Sequence, residues 1–392
     1  MKVYLIAGEA SGDRLGAALI AGLRQLVPGL DIAGVGGPEM QAAGLTSLFP
    51  MDDLSVMGLV EVLPKYRQLR ARLHQTADHV LAVAPDVLIT IDSPDFCLRV
   101  ARRVRARRPL RAVHYVAPSV WAWRAGRAEK MARSVDQVLA LLPFEPPYLQ
   151  AVGLRCDFVG HPVTTEPQAT MAEASAWRAA AGIGDAPMIL ALPGSRRSEV
   201  SRLAPIFGAA LRPVLARHPE TRIVVPAAAP VAGLVAEMVR DWPGQPLMLD
   251  PRDRPLARTL AEKRAAFRAA DAALAASGTV SLELAAAETP MVIAYDMNWL
   301  TRQIVQRMLK VDTVTLVNLV TGRRDVPEFL GKNCQPDRIA ASLNALMKAP
   351  HQQTAALSEA MATLGAGGPP PGMRAAQAVL DGLTGPPGQA TP

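Results

Sequence analysis

Apolar and polar positions along the chain follow two alternating periods. The runs KVYLIA (2–7), DIAGV (31–35), DVLITID (86–92), RAVHYV (111–116) and DQVLALL (136–142) read as buried strands. The amphipathic stretches after Asp13, after Pro64 and after Asp95 read as the helices between them. A second series starts beyond GHPVTTEP (160–167), with strands MILALP, RIVVPAA, PLMLD, AALAAS and PMVIAY. Short apolar runs separated by helical periods predict parallel sheets with crossover helices, so the chain reads as α/β with two consecutive Rossmann-like domains. Ligands of such sheets bind outside the carboxyl ends of the strands, and the two domains are therefore expected to face a central cleft. The predicted division is 1–163, 164–348 and 349–392. In the last segment GAGGPPPG is a bend, the helix MRAAQAVLDGL returns to the first domain, and TGPPGQATP is a loose tail.

At 392 residues the chain exceeds one ordinary core, which agrees with two domains. A net charge of +7 and a pI near 9.6 point to an anionic partner: phosphate, lipid or nucleic acid. Much of the excess lies in RVARRVRARRPLR, Arg99 to Arg111, either the solvated face of a helix or an attractor of anionic head groups. Seven Phe and five Tyr, with no nucleic-acid-binding module in the sequence, argue against nucleic acid. Glu9 and Asp13 interrupt any signal-peptide core at the N-terminus, and no stretch approaches the roughly 20 apolar residues of a membrane span. Cys97, Cys156 and Cys334 lie far apart without metal-ligand spacing, so neither a disulfide framework nor a metal site is expected.

Several turns carry chemistry. AGEASGD, Ala7 to Asp13, follows the first strand; Gly8 and Gly12 allow a tight turn, and Ser11 or Asp13 is placed to cap a helix beginning near Arg14. A helix start of this kind offers N–H groups to an anion or a sugar hydroxyl, and capping alone does not require Glu9. The stretch is neither a dinucleotide fingerprint nor a P-loop, since GVGGPE has Glu39 in the third glycine position and no Lys-Ser/Thr follows GEASGD. IDSPDF puts Asp92 and Asp95 where a strand ends, with Asp95 placed to cap the helix after Pro94. GSRRSEV, Gly194 to Val200, joins a Gly/Ser turn to Arg196 at a helix start, a match for pyrophosphate. SGTVSLELAAAETP opens another helix, with Gly278 and Thr279 at its start and Glu283 a turn later, where a carboxylate can accept both hydroxyls of a ribose. HYVAPSVWAWR sets two tryptophans and Arg124 beyond a strand end, either as core packing or as the edge of a site.

AGEASGD, VMGLVEVL, IDSPDF, HYVAPSVWAWR, LPFE, GH, LPGSR, ASGT and LVNL, in this order as far as Asn318, resemble the blocks of the lipid-A-disaccharide synthases, inverting glycosyltransferases of the GT-B type. AAQAVL near the C-terminus matches as well. The sequence departs from the family in IDSPDF, where IDAPDF also occurs, in the second Arg of GSRRSEV and in the Pro-rich tail.

The resemblance implies a reaction. A 2,3-diacylglucosaminyl group would pass from UDP-2,3-diacylglucosamine to the 6-hydroxyl of 2,3-diacylglucosamine 1-phosphate, giving the β-1',6-linked lipid A disaccharide 1-phosphate and UDP for lipopolysaccharide. Inversion implies one displacement through an oxocarbenium-like state, a base for the acceptor proton and positive charge for the leaving diphosphate. By the resemblance Asp92 is a candidate base, with Glu9 the rival or a group orienting the acceptor. Substrate contacts are expected at Ser11, Gly12, Trp123 and Arg124; Arg196 and Asn318 would meet the diphosphate, Ser277, Gly278 and Thr279 the phosphate, and Glu283 the ribose. No metal and no cofactor is implied. Acylated substrates imply work at the inner face of the cytoplasmic membrane, as a cytoplasmic protein associated peripherally with an anionic surface. In Asp53 to Arg70 the apolar Val56, Met57, Leu59, Val60 and Leu63 sit beside Lys65, Arg67 and Arg70, the composition of an interfacial element or of a buried helix. A UDP-N-acetylglucosamine 2-epimerase is the nearest rival, with the same architecture and nucleotide.

Overall fold

A computed structural model describes residues 1–54, 59–118, 126–297 and 312–384, with the side chains of 59–65 outside the description. The first sheet contains β1 (Lys2–Ala7), β2 (Asp31–Val35), β3 (Val87–Ile91), β4 (Arg111–Tyr115), β5 (Gln137–Ala140) and β6 (Arg155–Phe158), in the order β2-β1-β3-β4-β5-β6. The second contains β7 (Met188–Leu192), β8 (Arg222–Pro226), β9 (Leu247–Leu249), β10 (Ala272–Ala276), β11 (Met291–Tyr295) and β12 (Glu328–Leu330), in the order β12-β11-β10-β7-β8-β9. Every pairing is parallel. All ten predicted strands are present. β6 and β12 do not stand out in the sequence, because RCDF alternates charged and apolar residues over four positions and EFL offers only two apolar positions after a glutamate.

Helix starts differ from those expected. The first helix begins at Ala10 with Glu9 as its N-cap, the second long helix is already formed at Leu59, ahead of Pro64, and the third begins at Pro94 with Ser93 as its N-cap. Asp95 is therefore an exposed first-turn residue, favoured there by the helix dipole, and not the cap.

Pleating sorts the first sheet's residues between two faces. Val3, Leu5, Ile89, Ile91, Val113 and Tyr115 pack with Leu19 and Leu23 of helix Ala10–Leu26 and with Ala375 and Val379 of helix Pro371–Thr384. Tyr4, Ile6, Leu88, Ala112 and Val138 pack with Ala77 and Val80 of helix Leu59–Val83 and with Cys97, Val100 and Val104 of helix Pro94–Arg105. In the second sheet Ile189, Ala191, Leu274 and Val292 cover Phe207 and Leu211 of helix Arg197–Arg217 and Ile339 and Leu343 of helix Pro336–Lys348. No helix among the described residues is long and apolar enough to cross a membrane.

The chain divides into a unit of Met1–Thr165 with the residues from Gly367 onward, and a unit of Glu166–Ala366. Residues 349–366 thus stay with the second unit instead of returning to the first. Gln353 explains this, because its Oε1 accepts from Met291 N at 2.8 Å and its Nε2 donates to Met291 O at 2.9 Å, closing the start of β11. Only the last helix joins the first unit. Gln137 Nε2 donates to Ala378 O at 2.8 Å and Arg374 Nη2 to Phe158 O at 3.0 Å, while Arg155 Nη1 reaches the helix's last turn at Asp381 O, 3.2 Å away.

This helix lies against helix Ala10–Leu26 at a distance that only glycine permits. A Cβ on Gly22 would stand 2.6 Å from Gly372 O, and a Cβ on Gly372 2.5 Å from Ala18 O. Gly22→Val is expected to destabilise the first unit by about 2 kcal/mol through overpacking against backbone that cannot yield. Amide exchange read by mass spectrometry should accelerate in 371–384 and β5 and stay unchanged in β7 and β10; unchanged protection of 371–384 would refute the packing.

Candidate functional site

Each sheet begins in its interior. From β1 the chain moves to β2 on one side and then crosses to β3 on the other, and from β7 it moves to β8 and β9 before crossing to β10. The connections after β1 and β3 therefore leave in opposite directions and open a crevice at the carboxyl ends of these strands, as do those after β7 and β10. AGEASGD and IDSPDF flank the first crevice; GSRRSEV and ASGT flank the second.

At the first, register sets Ala7 beside Ile91, so Glu9 and Asp92 follow neighbouring strand ends. Asp92 and Ser93 both take left-handed backbone, with φ of 55° and 42°, and Val116, just past β4, has φ 84°. Non-glycine residues avoid this region, so the site holds strained backbone. Aspartate tolerates it through a local bond, here Ser93 N donating to Asp92 Oδ1 at 2.9 Å. The backbone N of Asp92 donates to Tyr115 O at 3.0 Å, and its Oδ2 accepts from Ser11 Oγ at 3.3 Å across the crevice. A Cβ on Gly8 would meet Ser93 Oγ at 2.6 Å, so this glycine lets the two turns touch. Glu9 is half-buried, and its side chain does not cap the helix it precedes.

Two residues of this turn differ from their expected roles. Gly12 is buried, with a Cβ position 3.3 Å from Ile91 O, and serves the packing of the first helix on β3. Asp13 caps the following helix, Pro38–Ala42, instead of its own. Its Oδ1 accepts from Gly37 N at 2.8 Å and Met40 N at 3.0 Å, and its Oδ2 from Glu39 N at 2.9 Å.

Beneath the crevice the buried His114 shares a 2.7 Å hydrogen bond through Nδ1 with Thr90 Oγ1, whose hydroxyl donates to Val113 O at 3.2 Å. Burial pulls the His114 pKa down to about 4, and it does the same to the half-buried His161 of the GH block, whose Nδ1 accepts from Val163 N at 3.2 Å. Burial, then the charge of Asp92, pushes the Cys97 thiol far up, so this cysteine stays a protonated core residue.

At the second crevice Gly194 (φ 123°) turns the chain beyond β7. Glu199, unremarked in the sequence, organises this turn. Its Oε2 accepts from Ser195 N at 3.2 Å and Arg196 N at 3.3 Å, and its Oε1 from Arg196 Nη1 at 2.9 Å. The spacing of a capping box, an acid three residues after the helix boundary, was the signal available. Gly278 (φ 152°) and Thr279 are exposed beyond β10, and Ser277 is half-buried; among the described residues, chain neighbours aside, no atom lies within 4 Å of a Cβ built on Gly278. Glu283 follows in helix Val280–Ala286 and is salt-bridged to Lys263 Nζ.

Asn318 already has protein partners for its amide. It is buried in the neighbouring helix Leu316–Thr321, where its Oδ1 accepts from Val326 N at 3.1 Å and its Nδ2 donates to Val326 O at 2.9 Å and Thr313 Oγ1 at 3.4 Å. The same loop is gathered by Glu328 Oε2, which accepts from Thr313 Oγ1, Val314 N, Thr315 N and Thr315 Oγ1 at 2.8–3.2 Å. Trp123, Arg124, Val56 and Met57 lie outside the described residues; Leu59, Val60 and Leu63 fall in helix Leu59–Val83, with side chains outside the description.

The family model described as Lipid-A-disaccharide synthetase matches residues 3–364. A lipid-A-disaccharide synthase from Ruegeria pomeroyi is 63% identical over 385 residues, covering 98% of this chain and 96% of its own. One from Rhodospirillum centenum is 48% identical over 392 residues, covering 98% and 95%. Among solved structures, a putative UDP-N-acetylglucosamine 2-epimerase from Listeria monocytogenes is similar with TM-score 0.64 at 14% identity, covering 100% of this chain and 99% of its own. The UDP-GlcNAc 2-epimerase from Neisseria meningitidis, bound to UDP-GlcNAc, is similar with TM-score 0.65 at 12% identity, covering 98% and 99%. At such identities the epimerases share the fold, which is that of the GT-B enzymes.

The two histidines give a pH signature. Each is neutral when folded down to about pH 4 but takes a proton near its ordinary 6.5 when unfolded, so the unfolded chain binds more protons between these values. The first unit's stability from these groups is full above pH 6.5 and is lost as pH falls towards 4. Urea midpoints measured across this window should fall, and His114→Asn should flatten the slope; an unchanged slope in that variant would remove His114 from the account.

Proposed function

This chain belongs to the lipid-A-disaccharide synthetase family, and from that membership we propose that it condenses UDP-2,3-diacylglucosamine with 2,3-diacylglucosamine 1-phosphate, giving the β-1',6-linked lipid A disaccharide 1-phosphate and UDP. The observation that carries this reading is the family match through residues 3–364, which runs across both crevices and includes Asp92 and Arg196 at the ends of β3 and β7.

In this reading the first unit takes the acceptor and the second the UDP-sugar. Asp92 is the general base. Its carboxylate takes the proton of the acceptor 6-hydroxyl as that oxygen bonds to the anomeric carbon, while the bond from that carbon to the diphosphate oxygen breaks and its electron pair leaves with UDP. Glu9, following the neighbouring strand, orients the acceptor. The leaving diphosphate is met by the Arg196 guanidinium, whose side chain is 70% exposed, and by the open turn at Ser277, Gly278 and Thr279. Glu283 takes the ribose hydroxyls from the first turn of its helix. Asn318 supports this surface from within.

UDP release by the purified chain should depend on the acceptor, with a disaccharide phosphate appearing by mass spectrometry. Asp92→Asn should lower turnover by roughly 10²-fold or more with UDP affinity retained. Activity on UDP-N-acetylglucosamine without disaccharide would assign an epimerase instead.

Acylated substrates require a lipid surface, and the first unit offers a basic one. Helices Leu59–Val83 and Pro94–Arg105 pack together and expose Arg67, Arg70, Arg99 and Arg102. Cosedimentation with vesicles containing anionic phospholipid should be lost when these four become Glu, and be weakened by salt in the parent chain. Equal binding to neutral vesicles would exclude the electrostatic attachment.

A further inference from the structure

Asp92 is held by two donors of different origin. Ser93 N, on Oδ1, belongs to its own left-handed turn. The hydroxyl of Ser11, on Oδ2, comes from 81 residues away, in the first turn of the helix after β1. Capping does not explain Ser11, since Glu9 is the N-cap, and core packing does not either, since Ser11 is exposed. A carboxylate held at one oxygen by its own loop can still turn about Cβ–Cγ. A second donor on the other oxygen, anchored to a different strand, removes that freedom.

We infer that Ser11 is a positioning residue for the proton transfer: its hydroxyl fixes the Asp92 carboxylate so that an oxygen lone pair faces the acceptor hydroxyl. This rests on Asp92 being the base. The acceptor's proton ends on Asp92 and Ser11 keeps its own; once Asp92 is protonated, the rotatable Ser11 hydroxyl can accept as well as donate. Gly8 sets the distance between the two turns, because any side chain there would strike Ser93. The sequence reading placed Ser11 against substrate; the hydrogen bond gives it a different partner.

The test is a double-mutant cycle in steady-state kinetics, with kcat and both KM values measured for the parent chain, Ser11→Ala, Ser11→Thr, Asp92→Asn and the double variant Ser11→Ala/Asp92→Asn. Ser11→Ala is expected to lower kcat roughly tenfold or more, the scale on which misplacing a reacting group acts, with KM values within about twofold and the thermal midpoint unchanged. Ser11→Thr, which keeps the hydroxyl, should recover most of that loss. On the residual rate of Asp92→Asn, adding Ser11→Ala should have no further effect, because there is no carboxylate left to aim. A raised acceptor KM with kcat intact would make Ser11 a substrate contact. An equal further loss in the Asp92→Asn background would make it act independently of Asp92; either result overturns the inference while leaving the base in place. Parent-like turnover in Asp92→Asn would overturn the base and the positioning role together.

Discussion

Starting each sheet from an interior strand is the constraint on which the candidate site depends. A parallel sheet needs crossovers, and crossovers of one hand from a central strand must diverge to the two faces. The turns after β1 and β3 then part, leaving helix starts with unsatisfied N–H groups around one gap. Divergence alone would leave them too far apart to cooperate. Gly8 and Gly12 bring them back within reach, one against Ser93 and the other against Ile91 O, and the bond from Ser11 to Asp92 spans what remains.

Three residues at this edge, Asp92, Ser93 and Val116, hold positive φ without being glycine. Such backbone is unfavourable by about 1–3 kcal/mol at each position and persists only where the surroundings over-determine it. Here they do so on both sides. Asp92 N and Val116 N extend the ladder by donating to Tyr115 O and Leu139 O, and β3 is buried along its length and β4 from Ala112 onward.

Ten of the twelve described strands were legible because apolar residues run through them between turn residues, and the crevice acids were legible because such runs lead into them. What escaped were bonds between residues distant in sequence. Asp13 reads as the cap of its own helix but caps one that starts 25 residues later, and the bonds of Asn318 to Val326 and Thr313 leave no trace in the local pattern. Local pattern ranks residue types by what they can do, and the fold decides which partner arrives first. Gln353 shows the same limit for domain boundaries, since two hydrogen bonds to Met291 keep its segment with the second unit.

At the second crevice the chain's own carboxylates already occupy the groups that an anion would seek. Glu199 holds the amides of Ser195 and Arg196 together with one guanidinium nitrogen, and Glu283 holds Lys263. These pairs differ in how readily they yield. The Glu199 side chain is 10% exposed and accepts two backbone donors, so moving it would break both bonds that close the turn. The Arg196 guanidinium is 70% exposed, and an ion pair in that setting stabilises by no more than about 1 kcal/mol. On the proposed function, an incoming diphosphate, with two charged groups and bidentate geometry, would outcompete a single carboxylate for that guanidinium while Glu199 keeps the turn in shape. In that proposal the turn keeps its bonds to Glu199 while the exposed Arg196 guanidinium changes partner, which would bring positive charge to the leaving group without reorganising the backbone beneath it.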